Sequence, residues 1–158
     1  MNNPQELVME QATLDRLRKE LEDLTTNGRQ EASTRLLRAR EMGDLAENAE
    51  YHAAKDAQGL MEARIRQLQH ILKNAVVRVG PASAEIVEAG VIVTVKEGDQ
   101  SDEYLIVSST EEKRDGVATI TLSSPMGLAL AGRKVGESAV VKSPGGEFTV
   151  EITALRPS

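Results

Sequence analysis

The chain holds 158 residues, room for one compact domain or two small ones, and no run approaches the roughly 18 to 20 apolar residues of a bilayer span. Cysteine is absent and only His52 and His70 are histidines, which excludes disulfides, cysteine zinc sites, thiol nucleophiles and histidine-rich metal centres. A net charge of -6 argues against broad sequence-independent adhesion to nucleic acid, and three rings, Tyr51, Tyr104 and Phe148, are too few for a base-stacking platform. The start MNNPQELVMEQ lacks the basic segment and apolar run of a signal peptide, so the expectation is a cytoplasmic protein with no membrane partner.

From Leu14 the apolar positions run Leu14, Leu17, Leu21 and Leu24, the three-four-three spacing of a coiled-coil seam, which predicts a partner helix. Asn27-Gly28 is a candidate break, after which the pattern resumes with Ala32, Leu36 and Ala39. Past Gly43 a second seam runs through Ala54, Ala57, Met61, Ile65, Leu68, Leu72 and Ala75. Two seams of similar length around MGDLAEN predict an antiparallel helical hairpin. At 1.5 Å per residue, an arm of about 30 residues reaches roughly 45 Å, longer than so small a domain needs for its own core.

Beyond VGPAS at 79–83 the period changes. GVIVTVKEG, EYLIVSST, VATITLSS, ESAVVKS and EFTVEITAL are β-branched runs bounded by Gly, Asp, Ser or Pro, and they predict the strands of a compact mixed sheet. Between them PMGLALAGRKVGE fits a short helix with Pro125 near its start and Gly132 at its end, and SPGGEF supplies a turn into the last strand. The expected division is therefore 1–78, the helical hairpin, and 79–158, a separate α+β domain. Residues 14–75 balance eleven Lys or Arg against eleven Asp or Glu, whereas 76–158 set eight against twelve, so the excess negative charge sits mainly in the second half.

The reversal REMGDLAENAEYHA, 40–53, carries the chemical question. Asp44 followed three residues on by Glu47 matches a capping box, in which both carboxylates are structural. Asn48 offers itself as an equally good cap, which leaves both acids for another use. Two exposed carboxylates suit Mg²⁺, which favours one or two such ligands plus waters and substrate phosphates, but two acids alone hold the ion weakly. Arg35, Arg38 and Arg40 approach the reversal on the first helix with Lys55 opposite, readable as a solvated face or as a phosphate track. His52 reads as a surface residue.

AREMGDLAENAEYHAAKDAQGLMEARIRQL, 39–68, resembles the tip and second helix of bacterial Gre-type transcript cleavage factors, and SSPMGLALAGRKVGESAVVKSPGGEFTVEI, 123–152, resembles their C-terminal domain. The likeness covers nearly the whole chain in the same order. It implies an N-terminal antiparallel coiled coil followed by an FKBP-like α+β domain, acting as a transcription elongation factor. Its partners would be bacterial RNA polymerase, bound through the C-terminal domain, and the nascent RNA 3′ end of a backtracked complex on its DNA, with DNA binding expected there too. The coiled coil would enter the polymerase secondary channel. Asp44 and Glu47 would then be the catalytic acids that hold a Mg²⁺ ion jointly with the polymerase active site. Gly43, Leu45, Asn48 and Tyr51 would shape the tip, and Arg40 and Lys55 would lie near the RNA phosphates. The polymerase would remain the enzyme.

One departure from the family pattern is Ala46, where many relatives carry Lys or another polar residue. A polymerase-channel inhibitor of the same architecture is the alternative reading, disfavoured because Asp44 and Glu47 are retained. A prolyl isomerase is disfavoured because Tyr104 and Phe148 alone cannot line an apolar proline pocket.

Overall fold

A computed structural model describes residues 7–45, 47–79 and 83–158. The chain divides into two compact units, Leu14–Asn74, and Met1–Thr13 together with Ala75–Ser158.

The helical unit is a hairpin. Its first arm is α1 (Gln11–Asp23), a single π-helical turn (Leu24–Gly28) and α2 (Arg29–Glu41), and its return arm is α3 (Ala49–Asn74). Asn27-Gly28 does not break the first arm: Asp23, Gly28 and Arg29 all keep right-handed helical backbone, and the Arg29 N–H reaches back five residues to the Leu24 carbonyl. Leu14, Leu17, Leu36 and Ala39 are buried on the first arm, as are Ala54, Ile65, Leu68 and Ile71 on the return arm. Burying each large aliphatic side chain contributes about 1.5–3 kcal/mol, so this stripe is what holds two otherwise polar helices together. Bidentate ion pairs flank it, Arg64 to Glu20 at 2.7 and 2.9 Å and Arg29 to Glu62 at 3.0 and 3.1 Å. Partners on the return arm fall in number as those on the first arm rise, which is the antiparallel register.

Three seam positions differ from expectation. Ala57 is exposed and Gln58 is half-buried in its place; Ile71 is buried while Leu72 is half-exposed; and Ala75 has left the helix for a strand. Steps of three and of four both fit a helical period, so sequence spacing does not choose between neighbours such as Ile71 and Leu72.

The second unit is α+β. Its main sheet has the order β5-β4-β3-β7-β6, built from β3 (Val91–Glu97), β4 (Gln100–Val107), β5 (Ala118–Thr121), β6 (Ser138–Ser143) and β7 (Gly146–Pro157). β4 and β5 run parallel and the other neighbours antiparallel, the mixed sheet that the β-branched runs predict. Helix α4 (Pro125–Leu130) starts from Ser124, whose hydroxyl accepts the Gly127 N–H, with Pro125 at the first helical position. Val93, Val95, Ile106, Leu130, Val141, Val150 and Ile152 form its core.

Two further strands belong to this unit. β1 (Leu7–Met9) lies parallel to β2 (Ala75–Val77), although both fall on the helical side of a division at 78/79. The Ser108 hydroxyl donates to the Val8 carbonyl at 2.6 Å. Next to it Arg78 and Arg114 donate to one oxygen of Glu10, at 2.6 and 2.8 Å, and the Glu10 N–H donates to the buried Glu112 carboxyl at 2.6 Å. These side-chain bonds tie the outer ends of the small β1-β2 pair to the loop after β4.

Candidate functional site

The hairpin reverses over residues 42–48. Helix α2 ends at Glu41, Met42 continues with nearly helical backbone, and Gly43 adopts φ +125°, a conformation that side chains rarely tolerate. The chain can therefore leave the helix axis sharply at this residue. Asp44, Leu45 and Glu47 follow, all exposed; Ala46 lies outside the described residues.

Helix α3 begins at Ala49, five residues beyond Asp44, so the Asp44/Glu47 pair brackets the turn and not the helix start. The cap is Asn48. Its Oδ1 accepts the Tyr51 N–H at 3.0 Å, the geometry of an N-cap bonded to the third helical residue, while its main-chain carbonyl accepts the His52 N–H at 3.1 Å. Its Nδ2 donates across the reversal to the Ala39 carbonyl near the end of α2. The Arg40 guanidinium lies over the Tyr51 ring, 5.8 Å from its centroid, and Tyr51 meets His52 edge to face at 5.9 Å. Lys55 is exposed one turn further along α3.

The structure thus gathers Arg40, Gly43, Asp44, Leu45, Glu47, Asn48 and Tyr51 at one reversal, with Lys55 one helical turn away. It places Arg35, Arg38 and Arg40, the arginines that approach the reversal, in different settings. Arg35 and Arg38 line a groove of about 830 Å³ along α2 with Glu31, Thr34 and Glu50, whereas Arg40 sits against Tyr51. Glu31 and Glu50 share that lining, so the groove carries charge of both signs, and it reaches Met42 at the reversal.

Among the described residues, no three His, Asp or Glu side chains converge as a metal cage. Asp44 and Glu47 offer hard oxygen ligands on one exposed turn. That set fits Mg²⁺, which keeps several waters and takes its remaining oxygens from a second molecule.

Sequence reasoning identified Asn48 as a rival cap but missed the carbonyl it joins. An i to i+9 bond between a loop side chain and the preceding helix has no periodic signature.

Residues 7–77 match the family model described as Transcription elongation factor, N-terminal, and residues 82–157 match Transcription elongation factor, GreA/GreB, C-term. The chain belongs to the GreA/GreB transcription elongation factor family. It is 41% identical over 152 residues to the transcription elongation factor GreA of Bacillus cereus (strain AH187), covering 94% of this chain and 95% of that one. With the GreA of Streptomyces coelicolor it shares 39% over 150 residues, 93% of this chain and 91% of that one. The GreA factor homolog 1 (Gfh1) structure of Thermus thermophilus is 29% identical and spans 96% of this chain and 99% of its own, with a TM-score of 0.45. As a Gre-family elongation factor, the chain carries its paired acids at the reversal of its N-terminal hairpin.

Proposed function

We propose that this Gre-family factor binds bacterial RNA polymerase through its C-terminal domain and extends its hairpin into the secondary channel. There it stimulates the polymerase's own hydrolysis of backtracked nascent RNA, which rescues arrested complexes. The observation that carries this reading is the exposure of Asp44 and Glu47 on a short reversal whose following helix is capped by another residue, Asn48. The N-cap of α3 thus needs neither acid, and both sit where a partner molecule can meet them.

In this mechanism Asp44 and Glu47 would hold a Mg²⁺ ion jointly with the polymerase active site. Mg²⁺ bound there would supply an activated water and charge stabilisation for phosphodiester hydrolysis. Arg40 and Lys55 place positive charge near the RNA backbone, and the tyrosine under Arg40 holds that guanidinium on the α3 side of the tip. Gly43 and Leu45 shape the turn. The hydrolysis belongs to the polymerase, so the factor is a ligand donor in trans and not an independent nuclease. Its site of action is the transcribing complex on DNA, hence the cytoplasm of a bacterial cell. No helix among the described residues is long and apolar enough to cross a membrane.

The test is to add the protein to a stalled, backtracked complex with Mg²⁺ and measure RNA length. Shortened transcripts whose yield depends on Asp44 are expected. Unshortened RNA together with slowed elongation would favour a channel inhibitor instead, and Asp44-dependent cutting by the purified protein alone would overturn the shared site.

A further inference from the structure

We propose that Asn48 is the positioning residue of the tip, stapling the two arms so that Asp44 and Glu47 meet metal and RNA in one fixed geometry; this rests on the cleavage function proposed above. Its carboxamide works in two directions. The oxygen accepts the Tyr51 N–H in the first turn of α3, and the nitrogen donates to the Ala39 carbonyl in the last turn of α2. Ala39 is only 3% exposed, and its carbonyl is among the last four of the helix, which lack an intrahelical N–H partner. The Met42 N–H also reaches that carbonyl at 3.2 Å, so one buried oxygen anchors both ends of the reversal.

The residue type follows from this double duty. Ser, Thr or Asp can supply the cap oxygen, but none carries an N–H₂ group to reach back to Ala39, and Gln is one methylene longer. Arg40 over Tyr51 links the same two helical turns a second time. Between these straps the reversal is a short loop whose acids are exposed. A loop ordered in advance loses little conformational freedom when it engages metal and substrate, and small misplacements of catalytic groups are costly in rate.

Asn48→Ser separates stapling from capping, since the hydroxyl still accepts the Tyr51 N–H while the donor to Ala39 is gone. Three measurements apply: thermal melting of the full chain, amide hydrogen exchange across 42–47, and cleavage by a backtracked polymerase complex at saturating factor over a range of Mg²⁺. The proposal expects melting lowered by no more than a few degrees, since the Met42 N–H still reaches the Ala39 carbonyl, and unchanged polymerase affinity. It also expects exchange at 42–47 faster by about tenfold or more, and a maximal cleavage rate lower by about tenfold or more with a higher Mg²⁺ requirement. Wild-type exchange and wild-type cleavage in Asn48→Ser would overturn it, as would a rate loss matched by an equal loss of polymerase affinity. If the wild-type chain itself fails to stimulate cleavage, the functional reading falls, and the exchange measurement still decides whether Asn48 staples the turn.

Discussion

Gly28 in the first arm packs against Met61 in the return arm so closely that a Cβ on Gly28 would lie 3.1 Å from the methionine sulfur. Gly28 has ordinary helical backbone, φ -61° and ψ -46°, so its lack of a side chain serves this approach and not a turn. Alanine there gains about 0.5–1 kcal/mol of helix propensity and displaces only the flexible end of a thioether. Gly28→Ala is therefore expected to leave the hairpin as stable as wild type or slightly more so, while Gly28→Leu lowers its melting temperature. Circular dichroism at 222 nm through a thermal ramp checks both, and a large loss in Gly28→Ala would show that Met61 cannot move aside.

The π turn that ends at Gly28 absorbs one residue. Leu24, half-buried, and Ala39, buried, are both seam positions, yet they are one residue further apart than two heptads, and the wide turn takes up the excess. Thr25 and Thr26 bend their hydroxyls back to the Leu21 and Glu22 carbonyls at 2.9 and 2.7 Å, supplying donors where the regular helix ladder is disturbed. A variant lacking Thr26 is expected to keep full helicity and to melt no lower than wild type, because the seam becomes a plain heptad repeat. A variant lacking Arg35, where no bulge exists to remove, should melt several degrees lower. Equal destabilisation by the two deletions would show that the π turn is not a one-residue insertion.

Glu112 sits 4% exposed among Glu10, Arg78 and Arg114. Burial pushes its carboxyl above the ordinary value of 4.5, outweighing the Glu10 N–H and the two guanidiniums, and the Glu10 carboxylate adds to the rise. A carboxyl raised in the folded state favours folding fully below its unfolded value and loses that contribution as pH rises through its folded value. Glu112→Gln keeps an oxygen for the Glu10 N–H and removes the buried charge. The variant is expected to melt above wild type at pH 7.5, with the difference shrinking towards pH 4.5. A variant less stable at pH 7.5 would mean that the arginines' attraction exceeds the cost of burial.

Asp44→Asn and Glu47→Gln test the tip chemistry. Each is expected to lower transcript cleavage by about 10²-fold or more while leaving polymerase affinity nearly unchanged, since the acids act on metal and water and not on docking. For Glu47→Gln melting should also hold, because Asn48 caps α3. If either variant cleaves normally but loses about 1 kcal/mol of stability, the acid is a structural cap after all.

Glu62 and Arg29 give an independent acid probe of the hairpin. The Arg29 hydrogen bond lowers the Glu62 carboxyl below its ordinary value, and Glu62 in turn raises the Arg29 guanidinium. A depressed carboxyl contributes above its unfolded value and is lost as pH falls through the folded one, whereas the raised guanidinium keeps its share until strongly alkaline pH. The pair is solvent-exposed, so Glu62→Gln should shift hairpin melting only slightly at neutral pH, with that shift vanishing in acid. A large shift would show that the pair fixes helix register.

Local repetition wrote much of this protein into its sequence. Three-and-four spacing from Leu14 to Leu24 and from Met61 to Leu68 specifies two helices that must pair, and β-branched runs from Val91 onward specify the sheet, because each pattern buries one face of one element. The reversal at Gly43 and its two acids were legible for the same local reason. Tertiary structure alone decided the parallel pairing of Leu7–Met9 with Ala75–Val77, since three-residue strands carry no readable period and their partners lie a whole hairpin apart. It also decided that Ile71 and not Leu72 is buried, that Glu112 is enclosed by Glu10, Arg78 and Arg114, and that Asn48 bonds to Ala39. Each of these depends on which groups meet across space, and hydrogen bonds between distant residues leave no spacing along the chain from which to read them.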